Sequence, residues 1–499
     1  MRARASFTKE FCVFLHLIMG KQKKGSASQN VQASKTASRS QPNANTGKPK
    51  GSDSDSVSVK QEPLDWKKLN PKTEHYEFGG PFGAFAMITL LPVLVLAFAF
   101  GCDSTGYDPL HRLYAFASDI VQGNFSWEML SSLAASWKPS SLLWFLGFLA
   151  QIITYSIAMP GETVQGTKLR DGTRLTYKLN ALSAAQTGFM ISMLSHKSQG
   201  LYAPLWVYHN FPHLAVASLI VAFAVSIGVY VASFIGKPRL LALGGNTGNP
   251  IYDFMIGREL NPRIGNFDLK FFTELRPGLL GWLVIDICMA FKQYATLNRV
   301  TNSMILVVAF QAIYVLDALY NEVSILTTMD ITTDGFGFML AFGNLCWVPM
   351  MYSLQARYLA DFPVDLPIIS VIAIVGIEVL GLYIFRSANS EKDKFRTNPN
   401  DPSVKDLKYI ETKAGSRLIT SGWWGKARHI NYLGDWLMSI AWCLPCGFNS
   451  VIPYFYCIYF AILLIHRERR DDDKCRKKYG EDWEKYCSTV KYRIIPGIY

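Results

Sequence analysis

The chain has 499 residues, half of them hydrophobic and 18% charged, with a formal net charge of +12. Length alone would allow about three soluble domains, but long apolar runs exclude a wholly soluble protein. No zinc finger or aromatic single-strand platform accompanies the positive charge, so we expect no nucleic-acid partner.

The N-terminal residues form the first predicted unit, a disordered, basic and Ser-rich cytosolic arm over residues 1–70. Its part from Lys21 to Gln61 has almost no large apolar residue and cannot bury enough surface to fold. The short apolar patch Phe11–Met19 resembles the apolar core of a signal peptide, but it has no cleavage motif and runs into a basic stretch. Translation could start at Met1 or at Met19, and we expect the arm to be dispensable.

The second predicted unit, residues 71–499, carries apolar runs of roughly membrane length separated by polar segments. This pattern predicts an all-α polytopic membrane protein with about ten transmembrane helices. The candidate spans are Phe82–Cys102, Ser141–Met159, Leu214–Ile235, Leu279–Phe291, Ser303–Leu319, Phe336–Leu354, Leu366–Phe385 and a pair within Leu433–Ile465, with Ala181–Leu194 as a weaker candidate.

The polar connections have their own local signals. Asp103–Ser140 predicts a luminal loop with a short helix, and Asp171-Gly172 between alternating residues predicts a β-hairpin. Gly244–Arg263 is rich in turn residues and lacks a G-x-G-x-x-G fingerprint, so we read it as turns. Phe267–Gly278 predicts an interfacial helix, and Arg386–Lys413 a polar loop.

The segment Asp317–Gly337 places ionisable side chains between two apolar runs. Carboxylates at membrane depth are costly and are candidates for function, whereas in a water-facing loop they would be unremarkable. Both alternatives stay open here, and Glu322 and Asp330 are the strongest candidates. The ionisable residues are Asp317, Tyr320, Glu322, Asp330 and Asp334.

The C-terminal segment Gly422–Tyr499 combines an apolar pair of helices with polar residues at both ends. Polar and aromatic residues precede Leu433–Ile465, and a dense basic run, Arg467–Lys478, follows it. A break at Pro445–Gly447 predicts a hairpin whose two ends emerge on the same side of the membrane. Clustered cations suit phosphates and aromatic rings suit a nucleotide, although on charge alone a positive-inside anchor is favoured, because such anchors are common.

The cysteines indicate no metal site. Their spacing is irregular, and the C-x-x-C pair Cys443–Cys446 lies between apolar segments with no second pair and no nearby histidine. We therefore expect no metal.

Several motifs together resemble the sterol reductase family, which includes Δ14-sterol reductase, Δ7-sterol reductase and the C-terminal half of the lamin B receptor. The resemblance covers about Tyr76 to Tyr499, and the Tyr76–Pro81 and Thr327–Thr333 segments are similar to the Δ14 branch. The matching stretches are Leu275–Gly278, Leu326–Gly337, Gly425–Asp435, Pro453–Tyr456, Arg470–Cys475 and Tyr479–Tyr486.

The resemblance implies ten transmembrane helices and NADPH bound by the C-terminal half, about residues 300–499. Ile419 stands where the family usually has Leu. The cations Arg396 with Lys392 or Lys477 are of a type that binds a 2′-phosphate. The carboxylate of Asp471 is of a type that accepts a hydrogen bond from a ribose hydroxyl or a carboxamide. The implied cofactor contacts are Lys392, Arg396, Ile419, Trp424, Asn431, Tyr432, Asp471, Cys475, Arg476, Lys477, Lys478, Tyr479 and Tyr486.

The resemblance further implies an NADPH-dependent oxidoreductase that reduces the 14,15 double bond of a sterol intermediate in sterol biosynthesis. Tyr320, Glu322 and Asp471 are the candidates for the proton donor or its relay. The expected surroundings are the endoplasmic reticulum membrane, possible continuity with the nuclear envelope, and other sterol-biosynthesis enzymes. The alternatives are a Δ7-sterol reductase and a catalytically idle scaffold similar to the lamin B receptor. A transporter is disfavoured because inverted repeats are not visible.

Overall fold

The computed structural model describes residues 65–122 and 137–499, and Asp65–Tyr499 forms one unit by its internal contacts. The arm predicted over residues 1–70 therefore lies mostly outside the described residues. Its last residues are ordered: Asp65 caps a short helix, and Asn70 donates a 2.8 Å hydrogen bond to the Arg239 carbonyl. The predicted boundary at residue 70 thus falls inside this ordered part.

Helices dominate the first half of the described chain. The helix α2 opens with Pro81 in its first turn, where a missing N–H costs nothing. The helices are α1 (Trp66–Leu69), α2 (Gly80–Gly101), α3 (Pro109–Val121), α4 (Pro139–Ala158), α5 (Ala181–Gln199), α6 (Tyr202–His209), α7 (Phe211–Ala232), α8 (Pro250–Ile256), α9 (Leu269–Thr273) and α10 (Gly281–Leu297).

The second half is also helical, with short turns between the helices. A wider π turn, Glu274–Leu280, joins α9 to α10, and another, Gly343–Trp347, joins α13 to α14. The helices are α11 (Asn302–Tyr320), α12 (Met329–Thr332), α13 (Phe338–Phe342), α14 (Val348–Met351), α15 (Leu354–Asp361), α16 (Ile368–Thr397), α17 (Ile430–Cys443), α18 (Phe455–Tyr479) and α19 (Glu481–Thr489).

Within residues 65–122 and 137–499, the named strands pair as local antiparallel hairpins. The predicted hairpin at Asp171-Gly172 is confirmed, since its two strands pair from Glu162 with Leu179 to Lys168 with Arg174. The pairs are β1 (Cys102–Asp103) with β2 (Gly106–Tyr107), β3 (Glu162–Lys168) with β4 (Arg174–Leu179), β5 (Arg263–Ile264) with β6 (Phe267–Asp268), and β7 (Tyr409–Glu411) with β8 (Arg417–Ile419).

Within the described residues, five helices are long and apolar enough to cross a membrane: α2, α4, α7, α11 and α16. Only 28% of the apolar window of α2 and 22% of that of α16 is buried inside the protein, so much apolar surface faces outward, as lipid contact requires. The fold is therefore mostly helical and membrane-embedded.

The protein interior has two main apolar clusters. One packs α2, α7, α10 and α11 with the Phe338–Ala360 region, and the other packs α10 and α11 with α16, α17 and α18. The contacts between α16 and α17 are especially close, because a Cβ at Gly381 would lie 2.7 Å from the Gly434 carbonyl oxygen. Paired glycines thus let these two backbones touch, which brings the end of α16 beside the start of α17.

Three predicted connections differ from the structure. Arg386–Lys413 as a loop is wrong for its first part, because α16 continues to Thr397 with Ala388 and Phe395 buried. A helix already nucleated in the membrane extends through polar residues with little further cost. The predicted interfacial helix at Phe267–Gly278 is helical but largely buried, and the turn-rich Gly244–Arg263 contains α8, capped by Asn249.

Candidate cofactor site

The hairpin of α17 and α18 brings the two polar ends of the C-terminal segment together, as predicted. Its turn lies at Leu444–Cys446, and Trp436 Nε1 donates a 3.1 Å hydrogen bond across it to the Cys457 carbonyl. At the opposite end, His429 Nε2 lies 3.6 Å from Asp471 Oδ2. Residues that precede α17 and residues late in α18 therefore share one site.

His429 is held neutral in this site. Burial and the nearby cations Lys392 and Arg428 lower the pKa of His429 from 6.5 to about 3. Its contact with Asp471 is therefore not an ion pair. The imidazole also stacks on the Tyr432 ring, with ring centres 4.9 Å apart, which aligns the start of α17.

The extension of α16 contributes Lys392 to the same site. Its ammonium lies 3.9 Å from the centre of the Trp424 ring, and it is within electrostatic reach of Arg396 and Asp471. Trp424 is buried and donates from Nε1 to the Ala388 carbonyl at 2.8 Å. The buried Trp424 ring therefore stabilises the position of the Lys392 ammonium by a cation–π contact.

Ile419 packs in the same buried cluster as Phe395, Val404 and Trp424. It lies at the end of β8, so the β7–β8 hairpin forms one wall of the site. Arg396, one turn after Lys392, is exposed and free to turn toward an anion.

Asp471 occupies the centre of the site. Besides His429, it accepts a long 3.9 Å contact from the Cys475 thiol and lies within electrostatic reach of Tyr432 and Tyr486. Four of the residues predicted to bind the cofactor, Lys392, Tyr432, Cys475 and Tyr486, thus lie around one carboxylate.

The site contains buried polar atoms that lack a partner among the described residues: Arg428 Nε, Asn431 Oδ1 and Asp435 Oδ1. Asn431 uses its amide nitrogen on Asn389 Oδ1 at 3.3 Å, which leaves its carbonyl oxygen available as an acceptor. Unsatisfied buried polar groups are costly, so these atoms are candidates for binding a polar ligand.

The C-terminal helix α19 closes the far side of the site. Trp483 packs on Tyr479 and Tyr486, and its Nε1 donates 2.9 Å to Asp472 Oδ1. Burial raises the pKa of Tyr486 far above its ordinary value, so this phenol stays protonated. Lys478 lies over the Tyr479 ring, 4.8 Å from its centre.

Some predicted site residues lie apart from this cluster. Arg476 faces Asp472 and Glu484, at 3.4 and 3.6 Å, and Lys477 is exposed. Tyr320 is 63% exposed at the end of α11.

Glu322 also lies apart, in a structural ion pair. Its Oε1 accepts from Arg276 at 3.0 Å and its Oε2 accepts from the Ala181 N–H at 2.8 Å. Both oxygens are therefore engaged in joining α5 to the turn before α10, and of the candidate acids only Asp471 lies with the cofactor residues.

Comparison with known proteins supports a single assignment. The profile of the ergosterol biosynthesis ERG4/ERG24 family matches residues 72–499. The chain belongs to this family. It is 46% identical over 491 residues to a Delta(14)-sterol reductase of Neurospora crassa, covering 87% of this chain and 98% of that protein.

Further members of the family are similarly close. The Delta(14)-sterol reductase erg24 of Schizosaccharomyces pombe is 49% identical over 432 residues, covering 85% of this chain and 97% of that protein. The Delta(14)-sterol reductase ERG24 of Candida albicans is 45% identical over 456 residues, covering 87% and 99%.

Two further charged residues lie beside the candidate site, and the sequence analysis did not assign them. Asp435 follows Asn431 and Tyr432 by one helical turn, a spacing that places it on the same face of α17. Arg467 lies 3.8 Å from Asp330 and is within electrostatic reach of Tyr432 and Asp435. The helical spacing from Asn431 was the available signal for Asp435, whereas the partner of Arg467 is distant in sequence.

A group of buried aromatic rings lies between α10, α11, α17 and α18. Trp282 packs against Trp442 and Tyr456 with ring centres 5.6 and 6.5 Å apart, and Tyr314 lies 5.2 Å from Trp442. Tyr314 is also within electrostatic reach of Asp435. The cofactor residues thus continue into an apolar, aromatic region at membrane depth.

Proposed function

We propose that this protein is an NADPH-dependent Δ14-sterol reductase of sterol biosynthesis. The observation that carries the proposal is the convergence of Lys392, His429, Tyr432 and Cys475 around Asp471, in a chain whose relatives carry that name. A cationic, aromatic site at the edge of a membrane-embedded fold suits a charged nucleotide and an apolar substrate together.

The residues of the site fit the groups of NADPH. The half-buried Lys392 and the exposed Arg396 are placed to hold phosphate, and Arg396 is the reader of the 2′-phosphate. Asn431 Oδ1, which has no partner among the described residues, suits an amide or hydroxyl donor. Asp471 lies beside His429 and within electrostatic reach of Lys392, and its carboxyl oxygens suit an acceptor for a ribose hydroxyl or the carboxamide.

The chemistry requires an acid beside the alkene as well as a hydride. Protonation of carbon 15 creates a tertiary cation at carbon 14, and bound NADPH supplies the hydride that this cation accepts. Asp471 remains the candidate from the sequence analysis that lies with the cofactor residues. Asp435 and Tyr314 are added because they lie between the cofactor residues and the aromatic group.

The sterol occupies a slot among the later membrane helices, beside Trp282, Tyr314, Trp442 and Tyr456. Aromatic and aliphatic walls favour a rigid apolar ring system, and exclusion of water prevents capture of the cation. The full complement is about ten transmembrane helices in the endoplasmic reticulum membrane, with residues of about 300–499 forming the cofactor-binding half. Other enzymes of sterol biosynthesis are its proposed neighbours there.

The decisive experiment supplies membranes containing the protein with NADPH and, in parallel, a Δ8,14-sterol or a Δ5,7-sterol, with products identified by mass. We expect reduction of the Δ8,14-sterol alone. Reduction of the Δ5,7-sterol instead would establish the Δ7 alternative, and reduction of neither would favour the idle scaffold.

Isotopes test the order of proton and hydride delivery. With deuteride at the transferable position of NADPH, the label should appear at carbon 14. With deuterated water, the label should appear at carbon 15. The reverse pattern would contradict the protonation-first mechanism.

A further inference from the structure

The segment Tyr76–Gly80, here called the YEFGG segment, precedes α2 and adopts a constrained backbone. Phe78, Gly79 and Gly80 have φ of 54°, 77° and 68°, all in the left-handed region. For a bulky residue such as Phe78 this conformation is rare and persists only where the surroundings enforce it. A Cβ at Gly83 would lie 1.7 Å from the Phe78 carbonyl oxygen, so the helix start packs directly on this turn.

The YEFGG segment is anchored on both of its flanks. The N–H of Glu77 donates to the Tyr252 hydroxyl at 2.8 Å, and the Tyr76 ring packs edge-on against Tyr252 with centres 4.9 Å apart. On the other side, the Phe78 ring stacks on His466 of α18, with ring centres 5.0 Å apart. The segment therefore contacts the helix that carries Asp471.

Arg470 joins α18 to the YEFGG segment by charge. Its guanidinium lies 2.7 Å from Glu77 Oε2 and 3.3 Å from Asp334 Oδ1, and over the Phe78 ring at 5.5 Å. The backbone of Asp334 is itself held in place, because the buried Lys270 ammonium donates to the Asp334 carbonyl at 2.7 Å. Arg470 is thus held between two carboxylates from different parts of the chain.

A cavity of about 510 Å³ lies beside these contacts, lined by Lys72, Thr73, Glu74, Glu77, Asp334 and Arg470 among others. Since α18 borders an open cavity here, side-chain packing alone does not set its rotation on this side. The ion pairs of Arg470 and the Phe78–His466 stack are contacts that hold α18 on this side. Successive helical residues point about 100° apart, so fixing Arg470 also fixes the direction of Asp471.

We propose that Glu77 and Phe78 are positioning residues for the cofactor site, holding α18 in the rotation that directs Asp471 toward His429 and Lys392. This inference rests on the proposed function, since it assigns Asp471 to NADPH. The YEFGG segment itself does not touch the cofactor. The segment instead orients Asp471 through α18. A small misplacement of a binding group can lower rate or affinity by a large factor.

The first test uses the wild-type protein and the reciprocity of linkage. If the docked YEFGG segment favours NADPH binding, NADPH must stabilise the docked segment. Amide hydrogen exchange should therefore slow in a peptide covering residues 71–81 when NADPH is added, while a peptide covering the β3–β4 hairpin serves as the remote control. NADPH binding with unchanged exchange in residues 71–81, or with an equal change in the hairpin, would overturn the proposal.

The second test compares Glu77→Gln with Glu74→Gln, a carboxylate on the same cavity without the Arg470 contact described for Glu77. Glu77→Gln should weaken NADPH binding by roughly 10-fold and leave the KM for sterol within about twofold. Glu74→Gln should match the wild type. Equal NADPH affinity in both variants would overturn the proposal.

Folding is controlled in the same series. Glu77→Asp keeps the charge and should recover part of the NADPH affinity, and it replaces Glu77→Gln if that variant does not accumulate. No binding of NADPH by the wild type would remove the proposed function and this proposal with it, an outcome distinct from normal wild-type binding with unaffected variants.

Discussion

The ammonium of Lys392 lies 3.9 Å from the centre of the Trp424 ring, while Lys426 lies 4.3 Å from the centre of the neighbouring Trp423 ring. Two cation–π pairs of the same geometry thus stand side by side. Lys392 is within electrostatic reach of Arg396 and Asp471, whereas Lys426 is within electrostatic reach of Glu391. A comparison of the two lysines therefore separates the effect of a lysine's position from the effect of its charge.

Lys392→Met should weaken NADPH binding by about 10-fold, because a half-buried cation near phosphate is poorly screened by solvent. Lys426→Met should change the affinity by less than about twofold. Titration of NADPH fluorescence with purified protein measures both. Equal losses would show that the effect is general charge attraction and would remove Lys392 from the site.

Arg396→Ala should raise the KM for NADPH by about 10-fold to 100-fold, the scale of one charge-assisted phosphate contact of roughly 1.5–3 kcal/mol. Any use of NADH should be nearly unchanged. Lys394→Ala, in the same last turn of α16, is the matched control. Equal losses with both cofactors would mean that Arg396 does not read the 2′-phosphate.

Asp471→Asn should fold normally and bind NADPH about 10-fold or more weakly, since it loses a charged acceptor at the centre of the site. The exposed neighbour Asp473→Asn should behave as the wild type. Normal binding and turnover in Asp471→Asn would leave this residue a surface charge. Normal binding with abolished turnover would instead place Asp471 in the proton relay.

His429 predicts a specific dependence of stability on pH. Above pH 6.5 its imidazole is neutral in the folded and the unfolded chain, so it contributes no slope. Below pH 6.5 this histidine binds a proton in the unfolded chain. In the folded chain it stays neutral until about pH 3. Stability is therefore lost as pH falls, by up to about 1.4 kcal/mol per pH unit.

His429→Gln should remove this part of the slope. Thermal unfolding in detergent between about pH 7.5 and about pH 5 would measure it, with wild type and variant compared at each pH. Parallel curves for the two proteins would show that His429 is not excluded from protonation in the folded state.

Deletion of residues 1–60 should leave reductase activity in membranes intact, because that composition cannot form a core. Deletion through residue 78 should raise the KM for NADPH, since it removes the contacts that Glu77 and Phe78 make with α18. Activity per amount of inserted protein is the measurement. A well-expressed but inactive first deletion would contradict the dispensability of the arm.

Local patterns in the sequence were sufficient for the mostly helical membrane fold and for the meeting of the two polar ends of the C-terminal segment. The hairpin at Asp171-Gly172 and the break after Cys443 follow from turn chemistry, which involves only neighbouring residues. The polar residues before α17 and within α18 were predicted to meet because a hairpin returns the chain to the same side of the bilayer.

Other features followed from contacts that no local pattern encodes. The polar end of α16 was read as a loop, yet Ala388 and Phe395 find buried partners there and the helix continues. Glu322 was predicted as a candidate acid because of its expected depth in the membrane. In the structure, Arg276 and the Ala181 N–H donate hydrogen bonds to its two carboxylate oxygens.

Sequence by itself therefore determined that the fold is mostly helical, where the C-terminal hairpin turns back, and that cations and aromatic residues gather at the C-terminal end. Tertiary structure decided which charges meet, as with Glu77 and Arg470, whose side chains come from opposite ends of the described chain. The physical reason is range: periodicity and turn preference act within a few residues, whereas an ion pair depends on where packing of the whole fold places two side chains.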